Sequence, residues 1–209
     1  MVPKYESNMF RYETQVKKFL LKWYSVNARI LPWRKKTNKT LANPYFVFVS
    51  EYMLQQTTVN TVKNKFNDFV LKWPSVNKLA RIKEPEILKF WSGLGYYSRA
   101  RNLLKTAKII NKSFKNKIPQ TYDELIQLPG IGDYTAKAIL GIGFNKSVMP
   151  LDANIERILV RLHAIDQPII KVKNKLKDLA NKFISDKYSS NLIQSFMDYG
   201  SAICLPRNP

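Results

Sequence analysis

The sequence has one cysteine, one histidine and seven glycines in 209 residues. A lone cysteine, Cys204, allows no disulfide framework within the chain and fits a reducing compartment. A lone histidine, His163, excludes a His-based zinc site and the Ser-His-Asp and Cys-His forms of nucleophilic apparatus. Acidic residues are also scarce, 15 Asp and Glu against 35 Lys and Arg, for a net charge of +20. No apolar run reaches the length a membrane-spanning helix needs, and the polar, mixed-charge opening does not read as a signal peptide, so a membrane is not an expected partner. Chemistry on this chain falls to carboxylates, tyrosines, lysines or hydroxyls, which favours hydrolysis by paired carboxylates.

What is present is a globular composition, 45% hydrophobic. The cationic excess is spread along the chain rather than gathered in a tail. A folded protein this basic repels itself, so a polyanion is the expected partner. The same heavy use of Lys, Asn and Ile is what an AT-rich coding sequence produces, which weakens the charge argument. Apolar residues recur at helical spacing in 10–26, 46–70, 86–91, 100–114, 134–144, 154–163, 172–184 and 192–203, and the pattern predicts an all-α protein. The stretch 35–40 reads as a loop. Phe46–Val49 is β-branched and aromatic, but it runs unbroken into Ser50–Leu54, so helix is the better reading.

Leu128-Pro129-Gly130-Ile131-Gly132 forms a tight turn between two helical patterns. Its glycines permit positive φ and close approach, and the N–H groups opening the second helix offer an anion site. On a basic chain the anion is a DNA phosphate, held at Gly130, Ile131 and Gly132. The plain alternative is a Gly-stopped connection between helices. Asp133 sits directly after this turn, where a carboxylate does not suit a nearby phosphate; it could serve as a helix cap.

Two carboxylates stand in contrasting settings. Glu51 lies in the apolar run Val47–Leu54, where burial would favour the protonated form of a general acid. Its alternative is the solvent face of an amphipathic helix. Asp152, after Pro150-Leu151, reads as an N-cap whose backbone bonds would keep it ionised, or as a purely structural cap. Such divergence divides acid and charge-stabilising roles at one site. Gln55 and Gln56 follow Glu51 and could read base edges or fill the gap left by an extruded base. Gly93-Leu94-Gly95-Tyr96-Tyr97-Ser98-Arg99-Ala100-Arg101 adds aromatics and cations suited to stacking and phosphate contact, with core packing as the alternative for the tyrosines.

Leu31-Pro32-Trp33-Arg34, Ser50–Thr57, Gly93–Leu103, Leu128–Gly132 and Leu151-Asp152-Ala153-Asn154 together resemble the MutY-type adenine DNA glycosylases of the helix-hairpin-helix base-excision superfamily. The resemblance runs from about Phe19 to Pro209. It implies a two-lobed, all-α fold: a six-helix lobe over 41–149 carrying the hairpin, and a second lobe from 1–40 with 150–209. It implies that Glu51 protonates adenine, that Asp152 stabilises the oxocarbenium-like sugar and that Asn154 holds Asp152. Trp33, Arg34 and Gln194 match the adenine pocket, and Gln55 and Tyr96 match residues inserted beside 8-oxoguanine. The implied partner is double-stranded DNA containing a mispaired adenine, which leaves the stack by a flip of roughly 180°, and the expected state is a monomer. Tyr134 stands where strand-cutting relatives carry a Schiff-base lysine, so a monofunctional glycosylase is expected. Thymine-mismatch glycosylases share that tyrosine; Gln55-Gln56 and Tyr96-Tyr97 favour adenine. A catalytically weak DNA-binding remnant is the reading from another class.

The resemblance also implies a [4Fe–4S] cluster on four cysteines and a monovalent cation at the hairpin. Cys204 matches the first cluster ligand, and the sequence ends about where the second would follow. One cysteine cannot hold the cluster. The sequence therefore reads as truncated at the iron–sulfur loop, or as a natural short form.

Overall fold

The order of breaks and caps explains how one basic chain becomes a row of helices. A computed structural model describes the backbone of residues 4–34 and 41–207, and side chains from residue 12 onward within them. The expected loop at 35–40 lies outside the described residues. All regular structure among the described residues is helical, as the apolar spacing predicts. No helix among them is long and apolar enough to cross a membrane. The chain divides into two compact units, one of residues 30–144 and one joining the chain up to Arg29 to the chain from Asn145. The bounds expected for the hairpin lobe are 41 and 149, against 30 and 144 for the first of these units. Leu31 and Trp33 are buried, Trp33 edge-on to Phe66 at 5.3 Å, which ties residues 31–33 to the first unit. Asn145 accepts from Ser190 N at 2.9 Å and donates to Lys187 O at 3.1 Å, which ties it to the second.

In the unit of residues 30–144, α2 (Pro44–Leu54) is the central element. Asn43 caps it, accepting from Tyr45 N at 2.9 Å, and Pro44 sits at its first turn, where no N–H is missed. Tyr45 and Val47–Met53 are all buried. A helix covered on every side needs no amphipathic pattern, so the β-branched, aromatic composition of α2 does not make it a strand. Around it lie α3 (Val59–Lys72), α4 (Val76–Ala80), α5 (Glu84–Trp91), α6 (Ser98–Ser113), α7 (Tyr122–Ile126) and α8 (Asp133–Ala138). Phe69, Trp73 and Phe90 form an edge-to-face cluster with centroids 4.7–5.4 Å apart, joining α3 to α5.

Two expected helices are divided. The run 46–70 breaks at Gln55–Thr58, where Gln56 takes φ 54 and Thr58 caps α3. The run 134–144 is α-helical only to Ala138 and continues as a π-turn, Ile139–Gly143. A Cβ on Gly143 would lie 3.3 Å from Pro44 Cα, so glycine lets this turn pass close to the start of α2.

The other unit contains α1 (Lys4–Asn27), α9 (Ala153–Leu162), α10 (Ile169–Asn181) and α11 (Ser189–Ala202). Phe19 and Trp23 of α1 meet Tyr199 of α11 edge-on at 5.7 and 5.2 Å. Arg29 grips the fully buried Asp198 through its backbone N (2.9 Å) and Nε (2.6 Å). A buried carboxylate needs such charge-assisted bonds, and Asp198 anchors the chain just past α1 to α11.

Candidate functional site

Asp152 is the N-cap of α9, with extended backbone (φ −98°, ψ 172°). Its Oδ1 accepts from Ile155 N at 2.7 Å and its Oδ2 from Asn154 Nδ2 at 2.9 Å. Both oxygens thus have donors. Asn154 is held in turn: its Oδ1 accepts from Arg157 Nη2 at 2.8 Å. The same guanidinium donates to Gly200 O at 2.6 Å and Cys204 O at 2.7 Å. A Cβ on Gly200 would stand 2.6 Å from Asn154 Cβ, closer than packed carbons come. Asp152, Asn154, Arg157 and Gly200 therefore form one chain of contacts. Glu156, further along the same helix, has its carboxyl pushed up chiefly by burial and further by Asp152, against the pull of Lys173. Gln194, an expected pocket residue in this unit, is buried and donates to Ser190 O at 3.0 Å and Ser190 Oγ at 3.1 Å.

In the unit of residues 30–144, Glu51 is 6% exposed, on the fully packed α2, so it is not on a solvent face. Trp33 is buried against Phe66, and Arg34 is half-buried. The expected hairpin is present: α7, the turn Leu128–Gly132, then α8 with Gly132 as N-cap. Gly130 has φ 80, and a Cβ there would meet Tyr52 Cε1 and Asn102 Cβ at 2.9 Å, so glycine is required on two counts. Ile131 plugs the turn into the core. Tyr52 OH donates to Pro129 O, and Thr106 Oγ1 reaches the same oxygen at 3.0 Å. Burial holds the Tyr52 phenol well above its usual range, keeping it a donor.

Asp133 is accounted for by its neighbours. Tyr122 OH donates to its Oδ1 at 2.9 Å, and Lys137 Nζ lies 2.9 Å from the same oxygen. The carboxylate clamps the two hairpin helices, and Lys137 answers its charge.

The hairpin adjoins the expected DNA-inserting residues. Gln55 Nε2 donates to Gly130 O at 3.1 Å. Gln56 is exposed, and Tyr96 is 62% exposed at φ 45. Tyr134, the second residue of α8, is half-buried and lies two residues past Gly132.

Residues 49–182 match a family described as the HhH-GPD superfamily base excision DNA repair protein. The chain belongs to this HhH-GPD superfamily. It is 42% identical over 193 residues to an adenine DNA glycosylase of Buchnera aphidicola subsp. Schizaphis graminum (strain Sg), covering 91% of this chain and 54% of that protein. It is 36% identical over 211 residues to the adenine DNA glycosylase of Homo sapiens, covering 97% of this chain and 39% of that protein. It thus spans about half, or less, of these relatives' lengths. A solved thermostable thymine-DNA glycosylase shares the fold, with TM-score 0.83 at 24% identity over 97% of this chain and 91% of that one.

The cluster that the family resemblance implies does not fit the donor set of this HhH-GPD chain. Cys204 is its only cysteine. Among the described residues no group of three or more His, Cys, Asp or Glu could hold a metal. Cys204 Sγ accepts from Arg161 Nη1 at 3.1 Å, and Arg161 also binds Leu205 O at 2.7 Å. Sequence reasoning missed Arg157, Gly200 and, in its detail, Arg99. Each has a partner more than forty residues away, which no local pattern announces.

Proposed function

We propose that this chain is a monofunctional DNA glycosylase that excises adenine mispaired with 8-oxoguanine or guanine in double-stranded DNA. The observation that carries the reading is the contrast between its two carboxylates. Glu51 is buried in an apolar, fully packed helix, and in this reading it is the proton donor. Asp152 is held by a backbone N–H and a side-chain amide at a helix start, each of its oxygens accepting one hydrogen bond. In this reading the hairpin N–H groups hold a phosphate and the target adenine leaves the stack. Glu51 protonates the adenine ring, and the glycosidic bond breaks with its electron pair going to the base. Asp152 stabilises the cationic sugar until water adds, and Asn154 keeps its Oδ2 in place. This reading assigns contact with the adenine to Trp33 and Arg34 and, in the other unit, to Gln194, and contact with the opposite strand to Gln55, Gln56 and Tyr96. A tyrosine at 134 forms no Schiff base, so the strand stays intact.

Adenine is preferred to thymine because relatives named for adenine match at 36–42% identity over nearly the whole chain. The test is single-turnover excision on a duplex with A opposite 8-oxoguanine, beside a G·T duplex. Adenine release by the wild-type chain and not by Asp152→Asn is expected. Thymine release instead would replace the substrate, and duplex binding without release of either base would mark a binding remnant.

A further inference from the structure

Arg99 is 5% exposed, and among the described residues no carboxylate pairs with it. Its fork is spent on main-chain oxygens of two separate segments. Nη1 donates to Tyr52 O (3.2 Å), Met53 O (2.7 Å) and Gln55 O (2.5 Å) at the end of α2. Nη2 donates to Leu94 O (2.7 Å) and Gly95 O (3.0 Å). The guanidinium lies 5.4 Å from the Trp91 ring centroid and 5.7 Å from that of Tyr96. Nε has no partner.

A buried cation without a counter-charge is costly, and capping one helix end does not require it. Water or a lysine could satisfy the α2 carbonyls alone. What a planar fork adds is two edges at a fixed angle, one for each segment. Each segment ends in a non-glycine residue at positive φ with its side chain exposed, Gln56 at 54° and Tyr96 at 45°. Such conformations persist only where the surroundings over-determine them. Lesser ties join the segments as well: Thr57 Oγ1 to Leu94 O at 3.3 Å and Trp91 Nε1 to Gly95 O at 3.1 Å.

We infer that Arg99 is a positioning residue: it braces the Gln55–Gln56 tip against the Tyr96 tip, and this spacing lets the protein favour a mispaired duplex over a matched one. The inference rests on the DNA glycosylase reading. Arg99 touches no DNA and acts through Gln55, Gln56 and Tyr96. Duplex held through the hairpin alone does not depend on it.

The test uses Arg99→Lys, which keeps the charge and loses the fork, below the melting temperature of both proteins. Amide exchange is followed first, in the protein without DNA. Faster exchange in 55–57 and 94–97 together, with α9 unchanged, is expected; unchanged exchange in either segment overturns the brace. Binding is then compared on mispaired and matched duplexes. The preference for the mispair should fall about tenfold, with matched-duplex affinity held within about twofold. Equal loss on both duplexes would mean a structural role only and overturns the inference. In a Tyr96→Ser background the same Arg99→Lys change should cost little more, because its effect passes through Tyr96; additive losses overturn it. Thr57→Ala removes a lesser tie without disturbing the buried charge. It should move both readouts the same way by less, and it decides the question should Arg99→Lys not fold. If the wild-type protein shows no mispair preference, the functional reading fails, and the exchange result alone then decides the brace.

Discussion

Asp152 caps α9, and in the proposed mechanism it also stabilises the sugar cation; one substitution can separate the two roles. As an N-cap it needs an oxygen for Ile155 N, which asparagine also supplies. As a stabiliser of a sugar cation it needs charge, which asparagine lacks. Asp152→Asn should therefore keep the melting temperature within about 2 °C, while single-turnover excision falls by at least about a hundredfold. Retained excision would end its assigned role. Arg157 acts one step back, through Asn154. Arg157→Leu should slow excision about tenfold without weakening matched-duplex binding, measured side by side with the wild type. Asp152 was legible in the sequence because a cap is local: Pro150-Leu151 ahead and a helical pattern behind. Arg157 was not, because the oxygens it binds at Gly200 and Cys204 come from a different helix and the turn after it.

At the scale of elements, apolar periodicity carried most of the fold. It failed where tertiary anchors override local pattern. The break at Gln55–Thr58 lies within a run whose spacing suits one helix, and Arg99 and the Thr58 cap end it there. The five-residue α4 is too short to show a period, and a π-turn leaves no mark that distinguishes Ile139–Gly143 from a helix. The α9–α11 contact yields a prediction. Gly200→Ala improves helix propensity but puts a methyl 2.6 Å from Asn154 Cβ. Overpacking should win, costing about 1–3 kcal/mol and lowering the melting temperature by several degrees. Excision should slow as well, because Asn154 carries Asp152; an unchanged rate would show that the contact does not reach the site. Stability should depend on pH through the far end of α9. His163, its C-cap, has a buried Nε2 with no hydrogen-bond partner among the described residues. Burial, then Lys182 and Lys175, lower its pKa from 6.5, against Glu13. The neutral ring is thus favoured in the fold, and on acidification the unfolded chain takes up this proton first. The contribution is full above about pH 6.5 and is lost as pH falls toward the lowered value. His163→Phe, which keeps a ring beside Tyr12, should flatten stability against pH in that window; an unaltered slope in denaturant melts would refute it.

For the whole molecule, net charge and specificity belong to different groups. The charge of +20 comes from cations spread along the sequence, while only those at the bound surface displace counterions from DNA. The tips proposed to recognise the mispair, Gln55, Gln56 and Tyr96, are uncharged. Recognition should therefore add affinity without adding salt dependence. Plots of log K against log salt for mispaired and matched duplexes should run parallel, offset by the base-specific contribution. Their common slope should correspond to a handful of phosphates rather than to the full charge. With about six to ten contacts, affinity would fall roughly 10³–10⁵-fold between 50 and 200 mM salt. Fluorescence anisotropy on both duplexes with the Asp152→Asn protein, which should bind without turnover, measures the two slopes directly. A steeper line for the mispaired duplex would mean that recognition recruits further cations, and the uncharged tips would then not be its main source.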